Sequence, residues 1–188
     1  MLMPKERISR RAVIATAALV PVSAVRSAAA SADSVFSAAQ RMTLEAFMDR
    51  LVPEDENGPG AVACGAANYI DRSLGDFLAA EKTSFLSGLD AVDRHARTTF
   101  GAAFADVAPD RQDEIMRAIE RDNRAFFERA RRLTIEGMVS DPHYGGNTNY
   151  AGWDLIRYPG PRLAVGEADQ KIKDAIRPVR ASAYGHGH

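Results

Sequence analysis

"AEKTSFLSGLDAVDRHARTTF", residues 80–100, decides the fold class. Phe85, Leu89, Val92 and Ala96 fall at steps of four, three and four, the spacing that lines one face of an α-helix. Working outward, the same period recurs. Leu44, Phe47, Met48 and Leu51 share a face behind Thr43, a suitable N-cap, and Pro53 stops that helix. "PEDENGPG" at 53–60 is a turn, and a second helix is expected from about Gly60 through "AVACGAANYIDRSLGDFL". Its alanines and glycines would let a neighbouring helix approach closely. A fourth helix opens at Pro109 with Ile115, Met116 and Ile119 inward, and a fifth runs from about Arg124 with Phe126, Phe127, Ala130, Leu133 and Met138. No convincing alternating, strand-like stretch occurs. The expectation is an all-α domain of about five or six helices ending in a long loop at 141–160. Beyond it lie a polar stretch with a short helix in "GEADQKIKDAI" and a frayed end, "YGHGH".

The first thirty or so residues read differently. Lys5, Arg7, Arg10 and Arg11 precede an apolar run at 12–25, and small residues with A-x-A-like sites follow at 28–32. That run is too short for the roughly 20 residues that span a bilayer, so it reads as an export signal. The pair Arg10-Arg11 abutting the run resembles a twin-arginine signal, which addresses folded proteins for export to the periplasm. An ordinary secretory signal containing two arginines is the alternative. The expected division is a signal at 1–32, a helical domain at 33–165 and a polar tail at 166–188. Cleavage after Ala32 removes five basic residues and one acid, so the formal charge falls from −1 to −5.

That balance disfavours nucleic acid, whose phosphates demand a basic face. One cysteine, Cys64, rules out a disulfide within the chain and a Cys-x-x-Cys-His haem site. Among small apolar neighbours Cys64 reads as a buried thiol, with pairing to another chain left open. His95, His143, His186 and His188 show no paired ligand spacing except in the Gly-His-Gly-His end, so no metal site is expected. Glu54, Asp55, Glu56 and Asn57 fail the spacing of a calcium loop, and Gly145-Gly146-Asn147 lacks the frame of a nucleotide-binding turn. No Gly-x-Ser-x-Gly signature is present. The chain is therefore expected to bind no cofactor and to carry no catalytic residue of its own.

What stands out is "DPHYGGNTNYAGWDLIRYPG" at 141–160, with three tyrosines and the only tryptophan. Large aromatics with a polar tip concentrate at interfaces. Tyr144, Trp153 and Tyr158 are candidate anchors for a partner, and Asn147 a residue that orders the loop beside them. The other reading is a loop folded onto its own helices, with Trp153 as a plug. The two are compatible.

This run, with "EGMVSDP" before it, "LVPEDENGPGAVACGAANYID" at 51–71 and "FLSGLDAVDRHARTTFGAAFADVAPDRQDEIM" at 85–116, resembles the gluconate 2-dehydrogenase subunit 3 family over about 47–160. The resemblance implies a small subunit without an active site of its own. Its partner would be a large FAD-containing dehydrogenase of the glucose-methanol-choline type that oxidises a sugar, sugar acid or polyol, often with a cytochrome c subunit carrying haem. It further implies that the small subunit supplies the export signal, that the complex meets the twin-arginine machinery, and that membrane association comes only through the complex. An independent enzyme using the loop as a pocket, or a free-standing periplasmic binding protein, are the competing readings.

Overall fold

The computed structural model describes residues 34–162, 164, 166–167 and 177–185. The signal reading at 1–32 with Arg10 and Arg11, the helix expected within 166–176, and His186 and His188 lie outside the described residues, apart from Gly166 and Glu167. Six α-helices occur among them: α1 (Ala38–Leu51), α2 (Ala66–Gly75), α3 (Lys82–Phe100), α4 (Pro109–Asp122), α5 (Arg124–Val139) and α6 (Ala151–Leu155). The described residues contain no strand. The chain is all-α.

Helix α1 begins earlier than expected. Ser37, not Thr43, is its N-cap, and the Ser37 hydroxyl accepts from the Gln40 amide while the Gln40 side chain accepts from the Ser37 amide. This reciprocal box satisfies two of the orphan N–H groups of the first turn. Thr43 lies buried within the helix itself. The start of α2 also differs: residues 61–65 form a turn that ends at Gly65 with φ 72°, and the helix starts only at Ala66. At the far end Asn123 closes α4 and accepts from the Phe126 amide, so one residue separates two helices.

The stripe of α3 is core as its spacing demands: Phe85, Leu89, Val92 and Ala96 are buried. Phe47 of α1 is the hub, with ring centroids 6.4 Å from Phe104, 5.9 Å from Phe126 and 5.7 Å from Phe127. Each such side chain contributes about 1.5–3 kcal/mol by leaving water. Helix α5 runs through the centre of this arrangement and touches α2 closely. A Cβ on Gly137 would lie 2.9 Å from the Ala66 backbone, so only glycine permits that approach. Arg50 of α1 grips Asp113 of α4 with two hydrogen bonds, at 2.8 and 3.1 Å, across the outer edge. Packing against α2 and α4 fixes where α5 ends, and that end carries the unusual segment.

Candidate functional site

A helix leaves its last four carbonyls without intrahelical partners. Those of α5 belong to Glu136, Gly137, Met138 and Val139, and the segment at 140–153 meets them one by one. Glu136 O accepts from the Ser140 amide at 2.7 Å. Gly137 O accepts from the Asn147 amide at 2.9 Å, and Val139 O from the Trp153 indole N–H at 2.8 Å. Met138 O lies against Gly152 so tightly that a Cβ there would fall 1.7 Å from it. A Cβ on Gly146 would likewise fall 2.1 Å from Gly137 O. These two glycines admit the loop to the helix end.

Asn147 holds the centre. It is fully buried, its side-chain N–H₂ donates to Ser140 O at 2.9 Å, and its Oδ1 accepts from the amides of Gly152 at 2.9 Å and Trp153 at 3.3 Å. One side chain therefore serves the C-terminal end of α5 and the first turn of α6. Thr148 then ties the loop to the 61–65 turn through its amide and Cys64 O, at 2.9 Å. Cys64 itself is fully buried, and burial pushes its thiol above the ordinary value. Pairing with another chain would require this turn to open.

The aromatic residues divide by exposure. Trp153 is 5% exposed, between Tyr150 and Tyr158 with centroids at 5.3 and 5.0 Å. Its polar edge and nearly all its surface are used within the chain. Tyr158 is 41% exposed, and Ile156 beside it 56%. Between them Arg157 has φ 56°, and Tyr150 has φ 62°; neither residue type favours the left-handed region, which costs roughly 1–2 kcal/mol each. Asn147 and Asn149, at φ 47° and 54°, tolerate it better. Tyr144 stands apart, its ring edge-on to Phe77 at 6.3 Å. Of the sequence candidates, the structure thus brings Asn147 and Trp153 together inside the cap, Tyr158 onto its outer surface, and Tyr144 to a separate cluster.

Residues 177–185, read from sequence as part of a polar tail, lie across this corner. The Val179 amide donates to Pro159 O at 2.6 Å, Arg180 pairs with Asp154 at 2.6 Å, and the Ala183 amide donates to Asp141 at 2.8 Å. Tyr184 stacks on His143 at 4.6 Å, and its hydroxyl is 2.9 Å from that of Tyr144. Asp141 also accepts from the His143 amide, turning the chain out of α5. Burial works against its charge, but the bonds from Ser182, Ala183 and His143 outweigh burial and hold its carboxyl below the usual range. Sequence reasoning passed over Phe77, Leu155, Ile156 and Tyr184, all exposed apolar or aromatic groups at this end. Phe77 was hidden because the expected second helix ran on through "GDFL", whereas α2 ends at Gly75 and leaves Phe77 beyond its C-cap Asp76. Among the described residues no helix is long and apolar enough to cross a membrane, and no three His, Cys, Asp or Glu side chains cluster as a metal site would need.

Residues 38–160, from the first residue of α1 to the end of the capped segment, match the protein-family model described as Gluconate 2-dehydrogenase subunit 3, and the chain belongs to that family. Neither the curated proteins nor the solved structures contain a match to it.

Proposed function

We propose that this chain is the non-catalytic small subunit of a periplasmic FAD-dependent dehydrogenase of the glucose-methanol-choline type, acting on a sugar, sugar acid or polyol. It stabilises the large flavoprotein subunit by binding its folded form and carries it through twin-arginine export. FAD resides in the large subunit, and haem c in a cytochrome subunit where one is present. Membrane association comes through those partners. The observation that carries this reading is the family match, which ends at Gly160 and so takes in the whole capped corner. Ile156 and Tyr158 stand outward there on a backbone that packing holds in place. A preformed apolar surface suits a permanent subunit contact, because little ordering entropy is lost on docking.

The test is co-expression of the flavoprotein subunit with an Arg10→Lys, Arg11→Lys chain. Dehydrogenase activity should persist while the flavoprotein stays in the cytoplasm. A flavoprotein that still reaches the periplasm at the normal level would remove the export role.

A further inference from the structure

Beside the capped corner lies a second surface feature, which shares Val139 and Ser140 with it. Where α2 ends against the turn leaving α5 there is an open groove of about 630 Å³. Its walls are the rings of Tyr69, Phe77 and Tyr144, and its lip carries Glu136, Ser140 and Asp141. A neighbouring hollow of about 440 Å³ shares the Phe77 and Tyr144 walls and adds Asp71 and Asp76. The pair therefore forms one trough with aromatic sides and four carboxylates. Three cations stand against them: Arg72 lines the smaller hollow, Arg41 lies 4.0 Å from Asp71, and Arg132 lies 3.8 Å from Glu136.

The carboxylates differ in what they can still accept. Asp71 takes the Ser34 hydroxyl and the Val35 amide, and both oxygens of Asp141 take backbone amides. Glu136 accepts from the Tyr69 hydroxyl at 3.2 Å through one oxygen, while the other lies 3.8 Å from Arg132, beyond hydrogen-bond reach. Glu136 thus keeps acceptor capacity. The Ser140 hydroxyl oxygen, although buried, has no hydrogen-bond partner among the described residues. Phe77 is 58% exposed at the mouth, an unusual position for a phenylalanine.

Four carboxylates against three arginines leave a net negative balance, which disfavours an anion such as a sugar acid or a flavin phosphate. A cation on an aliphatic stem meets the opposite: carboxylate at its head, and aromatic faces along its methylenes. We propose that this trough receives an extended segment of the large dehydrogenase subunit bearing a lysine or arginine beside an apolar residue. The cationic head lies at the free acceptor of Glu136, and the stem runs along Phe77 and Tyr144. This rests on the subunit reading above and assigns the contact to a face distinct from the Ile156–Tyr158 tip.

The experiment uses the tagged full chain co-expressed with its flavoprotein, counting bound flavin per chain after affinity purification. Glu136→Lys should retain about tenfold less flavoprotein than the unaltered chain, and Glu136→Gln and Phe77→Ala severalfold less. Asp122→Lys, remote on α4, should retain the normal amount, and melting temperatures should show that Phe77→Ala, at an exposed site, folds normally. Photolysis of a Phe77→p-benzoylphenylalanine chain should link it to a large-subunit peptide containing the expected basic residue. If the unaltered chain retains flavoprotein and all three groove variants do so equally, the groove is not the contact, although the subunit reading stands. A link from position 77 to a second copy, or to this chain's own ends, overturns the groove in the same way. An unaltered chain that retains no flavoprotein overturns both.

Discussion

Asn147 carries three hydrogen bonds through its side chain and a fourth through its amide, in a left-handed backbone with no exposure. Its removal should therefore act through two separable causes. Asn147→Gly deletes the side-chain bonds but suits the backbone, and should cost about 2–3 kcal/mol from the stranded Ser140 carbonyl and the Gly152 and Trp153 amides. Asn147→Ala adds the left-handed penalty, roughly 1–2 kcal/mol more. Denaturant midpoints should rank asparagine above glycine above alanine. An alanine variant as stable as the glycine one would mean that the backbone here is not held as described.

At the scale of elements, the helices were legible where apolar residues recur at helical spacing, as in Phe85, Leu89, Val92 and Ala96. They were least legible at their starts. Ser37 and Gln40 form a recognisable capping pair, yet the alanines after Ser37 carry no apolar period, and Thr43 drew the reading inward. The 61–65 turn was absorbed into α2 because its residues are small and apolar. Helix α6 went unseen since it is five residues long, contains Gly152, and starts from a left-handed Tyr150. The composition of 141–160 marked it as special from the start. That its tryptophan closes the end of α5 is a relation between segments about a dozen residues apart, which no local pattern encodes. Ser37→Ala should lower stability by about 1 kcal/mol, read from the thermal midpoint, while Thr43→Ser, inside the helix, should act through packing instead.

For the molecule as a whole, the clearest lever is acid. Asp113 is held below the usual carboxylate range chiefly by its hydrogen bond from Arg50, and Asp141 by the bonds from the tail and His143 that overcome its burial. A folded-state pKa below the unfolded one means stability that is fully present above about pH 4 and is lost as pH falls below that value. Melting temperatures should thus be flat from about pH 7 to 5 and fall steeply under pH 4. Arg50→Ala should flatten part of that fall, because Asp113 then loses the chief cause of its lowered pKa. An unchanged slope would show that Asp113 does not couple to folding.

The manner in which α5 ends also governs how this protein could be recombined. Because Asn147 and Trp153 close carbonyls that Gly137, Val139 and Ser140 supply, and Gly152 lies against that of Met138, the segment at 141–160 is not a detachable module. Transplanted alone onto another helical scaffold, it would arrive without the groups that shape it and leave the donor's helix end fraying in water. A workable chimera must cut upstream of Gly137, and must bring along the alanine of α2 that lets that glycine sit so close.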